Sequence, residues 1–254
     1  MQARIVGAAR GARWLGEGWQ LFRVAPLAWL ALACVYLLGT NILALVPVVG
    51  FVAALMLVPA LTVGMMSAAR AASHGVQPSL RMLGDGFRSE ARAQMALGAV
   101  YFACSMLVFG GTALADPDGK LRAVLAGRGP EGELPAADLL LPIAVFALSY
   151  APVLMMFWFA PPLAAWHSTG APKALFFSFV ACLMNWRAFL FYAATVAVMM
   201  MAVPLAALFT LRALGADLGV AVASLVFPLL LLMLPTLFAS FYVSYRDVFG
   251  VERP

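Results

Sequence analysis

The sequence has very little charge. Of its 254 residues only 11% are Asp, Glu, Lys or Arg, while 65% are hydrophobic and the mean hydropathy is +0.97. A soluble domain has about 25% charged residues, so a soluble globule of this composition would leave much apolar surface in water. Several apolar runs of about 20 residues can each cross a hydrocarbon core of about 30 Å. The composition therefore excludes a sizeable soluble domain and predicts a single integral membrane domain over residues 1–254.

Residue patterns of known chemistry are also missing. Cys34, Cys104 and Cys182 lie far apart in apolar stretches, which favours buried thiols over a disulfide or metal framework. His74 and His167 have no Cys, Asp or Glu at ligand spacing. The sequence has no Gly-rich phosphate loop, no Ser-His-Asp set and no paired carboxylates. We therefore expect no enzymatic activity, no cofactor and no metal, and no nucleic-acid partner despite the net charge of +5.

The apolar runs predict six membrane spans. Their approximate bounds are residues 26–46, 51–69, 93–114, 139–166, 188–211 and 218–245. Ionisable side chains are absent from well inside these spans, which disfavours a transporter that is coupled to ions through a buried carboxylate. The longest polar stretch, residues 115–138, is acidic and rich in Gly and Pro, which predicts a mobile outer loop.

The distribution of positive charge predicts the topology. With the amino terminus inside, 12 of the 16 Lys and Arg residues fall on inner segments. These are Arg4, Arg10, Arg13, Arg23, Arg70, Arg81, Arg88, Arg92, Lys173, Arg187, Arg246 and Arg253, and the outer segments hold Lys120, Arg122, Arg128 and Arg212. The positive-inside rule then places both termini in the cytoplasm.

An amphipathic helix is predicted before each outward span. Residues 3–23 have helical periodicity, with Leu15, Trp19 and Phe22 on an apolar face and Arg13 opposite. Such a helix suits the headgroup layer. Weaker or shorter counterparts precede the third and fifth spans, around Phe87 and over residues 173–187.

These segments fall into three aligned units, about residues 3–70, 78–172 and 173–250. Trp19 aligns with Phe87 and Phe179, and the returning spans carry Pro59, Pro162 and Pro235, which are the predicted helix-kink residues. Each proline is followed eleven residues later by a basic residue. The sequence therefore predicts an all-α bundle of six transmembrane helices, built from three parallel repeats of an interfacial amphipathic helix plus a helical hairpin.

Three stretches carry a family resemblance: GWQLFRVAPLAWL, GDGFRSEAR and AWHSTGAPKALFFSFVACLMNWRAFLFY. They resemble a family of uncharacterised multi-pass inner-membrane proteins of bacteria, typically proteobacteria. More distantly, the chain is similar to the membrane domain attached to some glycerophosphodiester phosphodiesterases. The resemblance implies architecture and location, brings no catalytic residues, and does not transfer the phosphodiesterase activity, because the soluble domain that carries it is absent.

The predicted site is a lipid-facing surface on the cytoplasmic side. Aromatic rings beside cations at headgroup depth favour anionic lipids, and the residues are Arg13, Trp19, Arg23, Phe87, Arg88, Asn185, Trp186 and Arg187. Asn185 has an alternative structural role in capping or bonding to the fifth span. The predicted function is lipid interaction, envelope maintenance or scaffolding of a complex with a membrane-protein partner. The alternative is a transporter or channel for a small molecule or lipid, with a cavity between the three repeats.

Overall fold

The computed structural model describes residues 2–125, 136–215 and 218–250, and these residues form helices joined by short connections. The α-helices, in chain order, are α1 Ala8–Val24, α2 Pro26–Ala44, α3 Val49–Ser73, α4 Asp85–Arg88, α5 Ala91–Ala115, α6 Lys120–Leu125, α7 Ala136–His167, α8 Ala171–Met184, α9 Trp186–Ala213 and α10 Leu218–Phe249. A 3-10 helix, Leu80–Gly84, precedes α4. The predicted all-α fold is confirmed.

Five of these helices, α2, α3, α5, α7 and α9, are long and apolar enough to cross a membrane. They coincide with the first five predicted spans. Helix α10 covers the sixth predicted span, and its role as a membrane span stays a prediction. The predicted outer loop lies partly outside the described residues, at 126–135, and its described part contains the short helix α6.

The spans differ in length. Helices α7 and α10 have 32 residues each, which at 1.5 Å per residue is about 48 Å, or about 18 Å more than a hydrocarbon core. We call α3, α7 and α10 the returning helices, and α2, α5 and α9 the outward helices. Where such a helix crosses the membrane, this length is enough for its last turns to extend past the hydrocarbon core and contact other helices.

Helices α1, α4 and α8 precede the outward helices, and we call them the leading helices. Each packs against one returning helix, and together the three contacts form a closed ring. Helix α8 packs on α7 and α4 packs on α3, while α1 closes the ring by packing on α10. Gly18 of α1 lies so close to α10 that a methyl group there would be 2.7 Å from the carbonyl oxygen of Thr236. Gly86 of α4 lies against the carbonyl of Ala60 in α3 in the same way.

The leading helix α1 packs along α10, and its predicted place in the headgroup layer stays a prediction. Its Arg10 contacts Asp247, whereas Gly18, two turns later, contacts Ser240, so the two helices run antiparallel. The buried face is Gly11, Trp14, Leu15, Gly18 and Phe22. It differs from the predicted apolar stripe because glycine allows a close backbone approach that hydrophobicity alone does not indicate.

Helix α8 also packs lengthwise, and it inserts a hydroxyl into α7. The backbone N–H of Phe159 donates to Ser178 Oγ over 2.9 Å, and Ser178 Oγ donates to the carbonyl of Met155 over 2.7 Å. In an uninterrupted helix the N–H of Phe159 would donate directly to the carbonyl of Met155, four residues earlier. The Ser178 hydroxyl lies between these two groups and bonds to both. A side chain inserted in this ladder is a recognised cause of helix bending.

The predicted kink residues Pro59, Pro162 and Pro235 all lie inside helices that continue past them. All three are buried. Their neighbours Ala60, Leu163 and Thr236 are buried too. The prolines therefore face the interior of the bundle, where neighbouring helices surround them.

Candidate functional site

The predicted site residues gather at one end of the bundle, which we call the basal end. It is the end at which α1 begins and α3, α7 and α10 finish. Most of the large buried side chains lie in this half, among them Trp14, Trp29, Phe159 and Tyr242. The opposite, distal end carries α6.

Seven of the eight predicted lipid-interface residues are exposed. Trp19 is 41% exposed, Phe87 43% and Trp186 51%. The exposed cations are Arg13, Arg23, Arg88 and Arg187. The guanidinium of Arg187 lies 5.4 Å from the centre of the Trp186 ring, a cation–π geometry. The structure therefore places these aromatic and cationic side chains on the outer surface.

Asn185 is the exception, and its assignment to the lipid-facing surface was wrong because the residue is only 2% exposed. Its Oδ1 accepts from the backbone N–H of Val6 over 2.8 Å, and its Nδ2 donates to the carbonyls of Arg4 and Ala181 over 3.0 and 2.9 Å. The bond to Ala181 satisfies an end carbonyl of α8. The other two tie the extended amino-terminal segment to the junction between α8 and α9.

A charge network joins α1 to α10 at the basal end. Arg10 forms ion pairs with Glu17 and Asp247, and Arg246 forms one with Glu17 over 2.7 Å. The indole N–H of Trp14 donates to Asp247 Oδ2 over 2.9 Å. The Glu17 carboxylate pairs with Arg10 and Arg246 rather than with Arg13, one turn before it. Arg13 faces outward.

The hydrogen bond to Asp247 is the main reason why the pKa of Arg10 lies above its usual range, and Glu17 adds to the effect. A raised folded-state pKa means that the stabilisation is complete below the unfolded pKa and is lost only as the pH rises through the folded value. The unfolded pKa of Arg is already above 12. The Arg10 guanidinium therefore stays charged, and the network does not weaken through it at any physiological pH.

The basic side chains of the basal end consequently form two sets. Arg10 and Arg246 are neutralised by carboxylates within the fold. The exposed cations Arg13, Arg23, Arg88 and Arg187 have no carboxylate partner within the described parts of the chain. The first set holds helices together and the second is available to anions outside the protein.

A second polar cluster occupies the junction of the three returning helices. His167 Nε2 lies 2.6 Å from Tyr245 Oη, and Ser73 Oγ donates to Tyr242 Oη over 3.2 Å. Arg70 lies 5.4 Å from the centre of the Trp166 ring. Sequence reasoning noted His167 and Arg70 singly and missed the cluster. The only sequence signal for it is that both residues end returning spans.

Among the recesses in the part of the chain that the structure describes, two border the basal half, and the three buried prolines are not among their lining residues. One is lined by Val6, Gly7, Ala9, Arg10, Arg13 and Asp247. The other is lined by residues 24–28 with Gly75 and Gln77. Within the described ranges, no group of three or more His, Cys, Asp and Glu side chains is arranged to hold a metal ion.

Comparison with known proteins gives one informative relative. The chain is 38% identical over 264 aligned residues to a protein of Burkholderia thailandensis described as a probable inner membrane protein, with 100% of this chain and 96% of the relative covered. No protein-family model matches the chain, and no solved structure matches it. A link to the glycerophosphodiester phosphodiesterase membrane domain stays a prediction. The chain belongs to the same family as the probable inner membrane protein of Burkholderia thailandensis, and it is a multi-pass protein of the inner membrane.

Proposed function

We propose that this protein is a non-enzymatic component of the inner membrane that binds anionic lipids at its basal end and thereby organises lipid or supports a membrane complex. The observation that carries the proposal is the division of the basal cations into two sets. Arg13, Arg23, Arg88 and Arg187 are exposed and without carboxylate partners among the described residues. Each cation near an anionic surface contributes about 1 kcal/mol of binding.

The aromatic side chains support a location at headgroup depth. Trp and Tyr concentrate where hydrocarbon meets water, because one part of the ring is apolar and another hydrogen-bonds. Exposed Trp19 and Trp186 flank the starts of α2 and α9. Their position beside Arg23 and Arg187 favours a surface that meets both acyl chains and phosphate groups.

The topology that this proposal requires has both termini in the cytoplasm. The basal end then contacts the cytoplasmic leaflet, where anionic lipids give a negative surface potential. The count of Lys and Arg on the two sides supports this orientation. With the opposite orientation, the same arginines would face the periplasm.

We also propose that the three units are repeats of one ancestral hairpin. Gly18 and Gly86 occupy matching positions in the sequence alignment, and each lies against the carbonyl directly after an aligned proline, at Thr236 and Ala60. Ser178 occupies the matching position of the third unit. It contacts Met155 and Phe159 of α7, which lie one to two helical turns before Leu163, the residue after the aligned proline. The contact between a leading helix and a returning helix is head-to-tail. Three such contacts close a ring when each unit is rotated from the one before it by about a third of a circle.

The alternative, a transporter or channel, gains little support from the prolines. The proposed cavity requires polar, open space near Pro59, Pro162 and Pro235. In the described part of the chain, apolar Leu163 and Phe238 are buried near them, together with polar Thr236 and Gln94. The two recesses at the basal half are not lined by these prolines. We therefore keep lipid binding at the basal end as the proposed function.

Lipid selectivity of two charge-matched variants tests the proposal. The basal variant combines Arg23→Gln with Arg187→Gln, and the control combines Arg122→Gln with Arg128→Gln in the predicted outer loop. Both variants lose two positive charges. We expect the basal variant to lose about 2 kcal/mol, roughly a thirtyfold effect, in preference for phosphatidylglycerol over phosphatidylcholine.

Native mass spectrometry of protein released from mixed-lipid nanodiscs measures this preference. The wild type and the loop variant are expected to retain phosphatidylglycerol to the same degree. Equal retention by the basal variant and the loop variant would contradict the proposal. Size-exclusion chromatography establishes that all three proteins remain folded.

A further inference from the structure

The junction of the three returning helices brings together donors from separate parts of the chain. Arg70 comes from the end of α3, His167 from the end of α7, and Tyr242 and Tyr245 from the last turns of α10. The ring of Trp166 lies 5.1 Å from that of Tyr245 and also under the Arg70 guanidinium. His167 Nε2 lies 2.6 Å from Tyr245 Oη. The four groups thus share one small region.

The cluster is open on one side and fixed on the other. Arg70 and His167 are exposed, whereas Tyr242 and Tyr245 are each 1% exposed. The buried tyrosine rings are held by packing, so their hydroxyl groups hold His167 and Ser73 in place. A binding group needs such support to keep its geometry without a ligand.

The donors in this cluster lack an internal anion. No carboxylate pairs with Arg70 among residues 2–125, 136–215 and 218–250, although Arg10 and Arg246 at the same end are both paired. The contact of His167 Nε2 with Tyr245 leaves Nδ1 without a hydrogen bond in the same ranges. A guanidinium fork with an imidazole N–H suits the oxygens of a phosphate group.

We propose that Arg70 and His167, supported by Tyr245 and Trp166, form a specific site for one phosphate-bearing anion at the junction of α3, α7 and α10. The anion is either the headgroup of an anionic lipid or a free phosphate group. This site deepens the proposed function, because it adds a defined binding position to a surface that otherwise attracts anionic lipids through general charge.

The two histidines make the site directly observable. His74 is exposed in the connection after α3 and serves as an internal reference for His167. Full-length protein with ¹⁵N-labelled histidine is placed in phosphatidylcholine nanodiscs, and a His74→Gln variant assigns the two imidazole signals. One arm adds inorganic phosphate, and the other replaces part of the phosphatidylcholine by phosphatidylglycerol.

The expected result is a saturable shift of the His167 signal that is larger than any shift of the His74 signal. A response in the lipid arm alone identifies a headgroup, and a response in both arms identifies the phosphate group itself. Arg70→Gln is expected to raise the midpoint at least about tenfold, since a charge-assisted pair is lost. Arg122→Gln, which removes an exposed charge at the distal end, is expected to leave the midpoint unchanged.

Two results would overturn the site: no saturable His167 shift in either arm, or equal midpoints in the wild type and Arg70→Gln. Arg70→Lys keeps the charge without the bidentate fork, so an intermediate midpoint supports the site and rules out a folding defect as the cause. The variant that combines Arg23→Gln with Arg187→Gln separates this site from the proposed function. It is expected to lose phosphatidylglycerol retention while it keeps the His167 response to inorganic phosphate or to a saturating lipid fraction.

Discussion

At the basal end, Gly18 lies against the backbone of α10, whereas at the distal end a methyl group on Gly39 or Gly110 would meet nothing within 4 Å. The buried residues of α2 are Trp29, Leu32 and Ala33, all in its basal part. Beyond Tyr192 no residue of α9 is buried. The basal half therefore holds the bundle together, and the distal half presents apolar side chains outward, where lipid can cover them.

This difference explains how charge is used in the two halves. Basal ion pairs such as Arg10 with Asp247 are partly buried and link helices that are far apart in sequence. The distal pair Lys120 with Asp138 is exposed, and solvent screens it. The packed basal half also supports the backbone that carries the exposed arginines, and a site for lipid headgroups requires such support.

The largest expected difference in unfolding free energy is between two glycine-to-leucine substitutions, one in each half. Gly18→Leu forces a side chain into the backbone of α10, so we expect a loss of about 3 kcal/mol in unfolding free energy. Gly39→Leu faces open space and is expected to change stability by less than about 1 kcal/mol. Unfolding in mixed micelles of increasing SDS fraction measures both variants. Equal midpoints would show that the close contact of α1 with α10 does not stabilise the fold.

Removal of one carboxylate charge in each half gives a smaller difference. Asp247→Asn leaves Arg10 with a weaker partner in a partly buried position, and we expect a loss of about 2 kcal/mol. Asp138→Asn removes the exposed partner of Lys120 and is expected to leave stability nearly unchanged. The same SDS titration compares them. A larger loss for Asp138→Asn than for Asp247→Asn would reverse the comparison.

The smallest effect concerns hydroxyl groups inside helices. Ser178→Ala removes the bridge between Met155 and Phe159, and interhelical hydrogen bonds in membranes contribute about 0.6 kcal/mol on average. Thr112 in the distal half bonds only to its own helix, at Val108, over 2.8 Å. Thr112→Val is therefore expected to have no measurable effect. If both variants unfold at the wild-type midpoint, the inserted hydroxyl shapes α7 without stabilising it.

Much of the architecture was predictable, because the length and apolarity of a span are local properties. The predicted first span, residues 26–46, matches α2 at Pro26–Ala44, where Pro26 occupies a position that favours helix starts. The outward exposure of Trp19 and Trp186 was likewise expected from their flanking cations. These features need no knowledge of distant contacts.

The errors involve contacts between residues that are far apart in the chain. Asn185 was assigned to the surface, but its amide bonds to Val6 and Arg4, about 180 positions away. Glu17 accepts a hydrogen bond from Arg246 near the other terminus, a contact that spacing along α1 does not indicate. Periodicity within a helix cannot indicate which other helix covers it. The packing of α1 along α10 was missed for the same reason.

The orientation of the basal end is the central claim, because lipid binding at the cytoplasmic leaflet depends on it. It is measured most directly by labelling single cysteines in intact spheroplasts with a membrane-impermeant maleimide, in a background with Cys34, Cys104 and Cys182 replaced by serine. Gly170→Cys reports on the basal connection between α7 and α8, and Asp118→Cys reports on the distal loop. We predict that Asp118→Cys is labelled in intact spheroplasts and Gly170→Cys only after the membrane is opened. Labelling of Gly170→Cys in intact spheroplasts, with protection of Asp118→Cys, would contradict the account.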